Sequence, residues 1–551
     1  MRIALITTPA RTRKVNYVLP SGVIALAAHL ERAGHEVIVV DNALERMPLQ
    51  TLASKAAALA PDLIGISGII TAYAHIIDLS REMRKALPST PLVLGGQVGI
   101  NNAGNCFTHM PIDFLVHGYG EIALEKIVRH LSGQIRKEQI PGISFRNGND
   151  VITNPGREYY RHIDDRPIPA YHLVDMDHYT NALHGAKSGE FVFNGNRLPL
   201  KEPRILPVFG TLGCTDRCAF CVHEQEFVGI KFVSNQVLID HLKFLNKTYG
   251  INIFNMGEEM FISSLKRAQE FNALMKEHLP GCYWMSTTRA DSVTPGMIAE
   301  LKTGNCIGLL WGYESGSQAM LNLMNKRMTV ETNNRAYRLA RDAGYYSTTT
   351  LMIGNAGETN LTVKETIASI HETGMDRGAV FLAAAYPGGR TWDWAVERGI
   401  IADTHQYLLS VSDKDAADFT VNLTPYPDFV LKAWQMLVNY ALEREARVKN
   451  PQHPIIPNFK RGRKNYIRMV LRDIGLKHLL PWMIDAYFVL YGLRSRLYET
   501  QRDRRFAVRA DAKGALLPDH FIKGAIQRYL SEEELDQLWK SEAPRVHSLS
   551  P

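Results

Sequence analysis

Five short runs in the first 120 residues are apolar almost throughout: RIALIT from Arg2, EVIVVD from Glu36, DLIGIS from Asp62, PLVLGG from Pro91 and DFLVHG from Asp113. Strands without a polar face must be covered on both sides, and helical crossovers between them build a parallel sheet. The segments between the runs have helical spacing. Pro20 and Ser21 open a helix whose Val23, Leu26, Ala27 and Leu30 share one stripe, and Gly34 ends it; LASKAAALA and HIIDLSREMRKAL predict the next two. The pattern predicts a doubly wound, Rossmann-like α/β domain. Such sheets bind ligands beyond the carboxyl ends of their strands. Those ends carry Thr7 and Thr8, Ser67 and Gly68, Gly95 and Gly96, and Gly118 to Glu121, and no GxGxxG follows the first strand. Small residues leave room for something large, and these edges argue against a dinucleotide and for a ligand lying flat across them, although glycine also ends strands for conformational reasons alone.

The order DLIGISG, LVLGGQ and DFLVHGYGE resembles the cobalamin-binding domain that precedes many radical S-adenosylmethionine enzymes, over residues 1–145. The resemblance implies that Thr8, Ser67, Gly68, Gly95, Gly96, Gly118, Gly120 and Glu121 contact cobalamin. Asp-x-His-x-x-Gly, whose histidine replaces the lower axial base in domains of the methionine synthase type, does not occur. The lower corrin face must then meet another group or none.

Residues 146–199 form a linker by composition, rich in Asn, Gly, Pro, Asp and Arg, with two prolines in RPIPAYHLVDMDHY. A strand, RILPVFGT, then leads into GTLGCTDRCAFCVHEQEF, which places Cys214, Cys218 and Cys221 within eight residues. The other three cysteines, Cys106, Cys282 and Cys306, are scattered, which argues against a disulfide framework. A closed zinc site needs four donors, and His223 in C-x3-C-x2-C-x-H sits too near Cys221 for an easy tetrahedron. Three thiolates suit three corners of a [4Fe-4S] cluster with the fourth iron open, whereas electron-carrying clusters normally have four.

The spacing, with Phe220 before the last thiol, resembles the signature of the radical S-adenosylmethionine (SAM) superfamily. The resemblance implies that the open iron chelates the amino and carboxylate groups of SAM, and that a partial (β/α) TIM barrel spans residues 200–404. It also assigns cofactor contacts to Phe220 and to successive strand ends. Gly257, Glu258 and Glu259 in INIFNMGEEMF match the Gly-Gly-Glu segment, with Met256 in place of its first glycine. Arg289, after CYWMSTT, is placed to meet the SAM carboxylate or to form a surface ion pair. Glu314 and Ser315 in GYESG face the ribose, Ile353 and Gly354 in TTLMIGNAGET the adenine, and Tyr386 belongs to a Y-P-G-T-like strand end whose threonine is here glycine.

Residues 405–551 read as a mainly helical C-terminal domain. Its segment 459–497 sets a basic stretch, with Lys460, Arg461, Arg463, Lys464, Arg468, Arg472 and Lys477 against Asp473, beside the apolar LLPWMIDAYFVLYGL. Broken by Pro481 and Asp485, that run is too short to span a bilayer. It reads as a helical cap with a solvated basic face, or as a peripheral membrane contact. A net charge of +7 over 551 residues is mild, and the basic stretch lacks stacking aromatics beyond Tyr466, so no nucleic-acid partner is expected. The start lacks a secretory h-region, which with few cysteines predicts a cytoplasmic protein.

The resemblance implies cofactors [4Fe-4S], SAM and cobalamin, a reducing partner such as flavodoxin or ferredoxin, and a small-molecule or peptide substrate methylated at an unactivated carbon. The alternatives are cobalamin-supported oxidation, ring closure or rearrangement, as in the anaerobic magnesium-protoporphyrin ester cyclase, methyl transfer without a substrate radical, and a non-enzymatic cobalamin or zinc sensor.

Overall fold

A computed structural model describes residues 1–12, 18–180, 191–193, 196–198, 200, 202–222, 229–257, 260–416, 418, 420–426 and 428–449. His223, Glu258, Glu259, the segment 459–497 and the rest of the expected C-terminal domain beyond 449 lie outside the described residues.

Two sheets organise the chain, and their strands are numbered together. In the first, β1 (Arg2–Thr7), β2 (Glu36–Val40), β3 (Leu63–Ser67), β4 (Leu92–Gly95) and β5 (Phe114–Val116) are parallel, in the spatial order 2-1-3-4-5. The apolar runs thus form the doubly wound sheet that the sequence predicts. The order reverses between β1 and β3, which opens a crevice at their carboxyl ends. Two further strands, β6 (Ile143–Asn147) and β7 (Asp150–Thr153), add an antiparallel hairpin beside β5. The hairpin carries the fold past the sequence boundary at 145. Its turn is signalled by Asn147-Gly148, where Gly148 adopts a positive φ of 64° that favours glycine.

The second sheet is wholly parallel: β8 (Ile205–Val208), β9 (Ile253–Met256), β10 (Tyr283–Thr287), β11 (Cys306–Glu314), β12 (Tyr346–Ile353) and β13 (Gly378–Leu382), paired in chain order. Helices cross between successive strands, making a partial barrel. The caps explain why those helices begin where they do. Ser234, Ser264, Thr294, Thr329 and Thr359 each accept, through the side-chain oxygen, the N–H of the residue three further on.

The chain after β13 does not form a separate layer. Ala385, Trp392, Trp394, Leu408 and Val411 share one hydrophobic core with Ile64, Tyr73 and Phe107 beneath the first sheet. Packing therefore crosses the sequence boundary at 404. Helix Asp428–Lys449 instead covers the second sheet, where Val430, Leu431, Trp434 and Val438 join the barrel core. Among the described residues no helix is long and apolar enough to cross a membrane.

Candidate functional site

The carboxyl edge of the first sheet opens into a cavity of about 550 Å³. Ser67, Gly95, Gly96, Gly118, Gly120 and Glu121 line it, so six of the eight positions expected at that edge meet in one space. Thr8 and Gly68 do not line it. The Thr8 hydroxyl donates to the Ser67 carbonyl at 2.9 Å, and a methyl group on Gly68 would overlap Ile76, so both residues serve packing behind the edge. Gly96 has a φ of 86°, and a methyl there would come within 2.5 Å of the Gly68 carbonyl oxygen. At Gly95 a methyl would meet nothing within 4 Å. The absent side chain is itself part of the cavity.

The cavity continues between the sheet and the helix Ser21–Arg32, over an apolar floor of Leu5, Ile66, Val93, Val116 and Leu124. Its remaining walls were not legible from local pattern. The expected linker supplies Tyr160, Arg166, Ile168 and Tyr171, and the barrel supplies Phe209, Thr211, Leu212 and His241. Arg166 pairs with the buried Glu121 at 2.5 Å. Tyr160 is hydrogen-bonded to His29, whose Nε2 lies 2.7 Å from Glu125. His241 is hydrogen-bonded to Tyr171 at 3.0 Å, and burial pushes its pKa down to about 4, leaving a neutral imidazole in the wall. The prolines of RPIP were the available sign that this stretch is a fixed wall, since they restrict its backbone.

Two residues beyond the cavity wall at Leu212 the chain reaches Cys214. Cys218 is buried, and Cys214 and Cys221 are partly exposed. Burial raises the Cys218 pKa to about 11, Lys326 opposes the rise, and Cys221 and Cys214 add to it, so the three thiols lie within electrostatic reach of one another. Among the described residues no three His, Cys, Asp or Glu side chains converge as a single metal ion requires. Zinc with bonds of about 2.3 Å needs its sulfurs roughly 4 Å apart, whereas a cluster holds them farther apart. Three soft thiolates on one short loop suit three irons of a cluster and leave the fourth open.

Ion pairs fix this loop. Asp216, between the first two cysteines, pairs with Arg289 and, at 2.6 Å, with Arg327. Its N–H reaches the Cys214 sulfur at 3.5 Å. Arg289 also pairs with Asp291 at 3.0 Å. Of the two expectations for Arg289, a SAM carboxylate or an ion pair, the structure shows the ion pair, with Asp216 of the cysteine loop. Glu314 has a φ of 62° at the end of β11 and pairs with the half-buried Lys326 at 2.9 Å. Burial works against the charge on Lys326, yet Glu314 and Cys218 hold its pKa above the usual lysine value. A side chain on Gly312 would collide with the Glu314 carboxylate.

Two expected contacts turn inward. Ser315 is fully buried, with its hydroxyl 3.1 Å from Thr366, and the Ile353 side chain is fully buried in the barrel core. Ile353 ends β12 with its side chain in the barrel core, and Ser315 follows β11 just after the positive φ of Glu314, packed against the helix Asn360–Thr373. Gly257 is exposed at the end of β9, and Phe220 and Tyr386 are partly exposed. Gly354 has a φ of 88° and presses against Leu431.

Comparison with known proteins bears on both edges. Residues 11–128 match the B12 binding domain model, and residues 208–370 match the model of the Radical SAM superfamily. The chain joins a B12-binding domain to a radical SAM domain. This pair makes it an enzyme with a [4Fe-4S] cluster, SAM and cobalamin as cofactors. An uncharacterized methyltransferase of Pyrococcus horikoshii is 25% identical over 407 residues, 73% of this chain and 84% of that protein. The anaerobic magnesium-protoporphyrin IX monomethyl ester cyclase of Rubrivivax gelatinosus is 24% identical over 72% of this chain and 70% of its own. The radical SAM methyltransferase TsrM of Kitasatospora setae, solved with cobalamin and a [4Fe-4S] cluster, shares the fold, with a TM-score of 0.57 and 16% identity over 73% of this chain and 75% of TsrM.

Proposed function

We propose that the chain is a cobalamin-dependent radical SAM methyltransferase. In this reading Cys214, Cys218 and Cys221 hold the [4Fe-4S] cluster and the glycine-lined cavity receives cobalamin. The observation that carries it is the adjacency of the two sites: Phe209, Thr211 and Leu212 line the cavity, and the three-thiol loop starts at Cys214. When bound, the cluster and SAM supply one-electron, hydrogen-abstracting chemistry, and cobalamin supplies methyl transfer.

The chain's own groups position and shield. Lys326 favours the thiolate of Cys218 against burial. Asp216, held by Arg289 and Arg327, sets the path of the loop between its first two thiols. Phe220, Gly257, Glu258, Glu259, Arg289, Glu314, Gly354 and Tyr386 are the groups proposed around SAM, with the buried Ser315 and Ile353 contributing through their backbone. The apolar floor and the linker wall keep water from the cavity. The substrate is a small molecule or peptide, and the electrons come from a reductant of the flavodoxin or ferredoxin kind.

A second reading, oxidative ring closure, is favoured by the similarity to the Rubrivivax cyclase. A substrate-free experiment separates the two. The full chain is reconstituted anaerobically with iron, sulfide and aquacobalamin, then given SAM and a reductant. Methyl transfer predicts about four irons and one cobalt per chain, with S-adenosylhomocysteine formed in a cobalamin-dependent way. 5′-Deoxyadenosine without S-adenosylhomocysteine supports the cyclase reading. One zinc and no SAM consumption overturns both.

A further inference from the structure

Between β13 and residue 416 the chain touches both edges. At one end it holds the cysteine loop. The Thr391 N–H donates to the Ala219 carbonyl at 2.9 Å, and Arg390 donates to the Arg217 carbonyl. The α-carbon of Gly389 lies so close that a methyl there would stand 3.4 Å from the carbonyl oxygens of Phe220 and Cys221. The next glycine meets the other domain. Gly388 has a φ of 93°, and a methyl on it would come within 2.8 Å of the Ile100 side chain, in the loop after β4.

Farther along, the same segment ties down the loops after β1 and β3. The Asp413 N–H donates to the Thr71 carbonyl at 2.9 Å, and the Thr12 N–H donates to the Asp413 carboxylate at 2.6 Å. Ser412 accepts from the Ala74 N–H at 3.0 Å. Between these ends, Trp392, Trp394, Leu408 and Val411 are fixed in the core beneath the first sheet. A close-packed segment has little room to absorb a shift at one end, so a shift reaches the other.

We propose that residues 383–415 are a positioning bridge, through which ordering of the cysteine loop and ordering of the loops after β1, β3 and β4 favour one another. The proposal rests on the assignment of the cluster to the three thiols and of cobalamin to the cavity. The bridge then couples the two cofactors: loading either one orders loops that the other needs, and the coupling is equal in both directions. Gly388 and Asp413 are two of its contact points with the first domain, and neither belongs to a proposed binding set.

The test uses the full chain and measures the dissociation constant of aquacobalamin by absorbance, with and without the reconstituted cluster. In the unsubstituted protein, cluster loading tightens cobalamin binding at least about fivefold, the low end of measured couplings. Gly388→Val, which pushes on Ile100, and Asp413→Ala, which cuts the tie to Thr12, each bring the factor below about twofold while iron and cobalamin still bind. Asp413→Asn, which keeps an acceptor oxygen and suits the positive φ of 63° at this position, restores it. A factor below about twofold in the unsubstituted protein, or one unchanged in both Gly388→Val and Asp413→Ala, overturns the bridge alone. A protein that takes up iron but no cobalamin overturns the cavity assignment and the bridge with it.

Discussion

The two sheet edges solve opposite problems. At the first, function is made by leaving atoms out: Gly95, Gly96, Gly118 and Gly120 open a cavity whose floor is apolar. At the second, function is made by tying atoms down, with Asp216 held by two arginines and Glu314 by Lys326 around the cysteines. A large flat ligand needs room and water exclusion, and supplies its own rigidity. A loop that must present three thiols needs rigidity from the protein, because its eight residues have no sheet or helix to hold them.

The sharpest way to break this contrast is to fill the first edge. Gly95→Phe adds a ring where a methyl meets nothing within 4 Å, so the fold is kept and the cavity lost. Cobalamin affinity should fall by at least about a hundredfold, close to 2.7 kcal/mol, with iron uptake unchanged. Loss of both would show that the edges are not independent in this respect.

Loosening the second edge has a smaller effect. Asp216→Ala leaves Arg289 and Arg327 facing the loop without their shared carboxylate. Amide hydrogen exchange at 214–221 should report a local opening free energy lower by about 2 kcal/mol, while cobalamin binding to cluster-free protein stays within about twofold. Unchanged exchange would show that the ion pairs do not hold the loop.

The smallest effect concerns Glu358, after β12. It is fully buried and accepts N–H groups from Gly354 at 2.6 Å and Asn355 at 3.3 Å. Burial raises its pKa to about 8 despite those bonds. The folded chain therefore holds a proton that the unfolded chain releases near pH 4.5. The stability this contributes is full below that value and is lost as pH rises toward 8. Glu358→Gln should remove this component, flattening the decline in thermal stability between pH 6 and 7 by about 1 kcal/mol. An unchanged slope would place the ionised carboxylate in the fold.

How far each edge was legible follows from how its atoms are specified. The strands β1 to β5 could be read because continuous apolar runs and the intervening helical period are local signals, whereas those of the second sheet were placed by the order of motifs in a resemblance; the glycines at 95, 96, 118 and 120 could be read because they follow the apolar runs directly. The walls at Tyr160, Arg166 and His241 could not, since only the docking of three distant segments brings them together. For Arg289 an ion pair was one of two expectations, but its partner Asp216 lies 73 positions earlier in the chain and no periodicity announces it. Ser315 and Ile353 were counted by proximity to a motif, but the burial of each side chain depends on the segments packed over it.

The amino-acid sequence by itself determined the strands and helices of the first parallel sheet, their order, and the chemistry of the donor set, because these depend on the periods of side chains and on three thiols in one short loop. The tertiary structure alone decided that the linker closes the cavity, that Arg289 pairs with Asp216 in the cysteine loop, and that residues 385–411 pack under the first sheet while the helix Asp428–Lys449 covers the second. Those outcomes depend on which surfaces meet across separations of tens to hundreds of residues, and such meetings are settled by packing, which leaves no local mark in the chain.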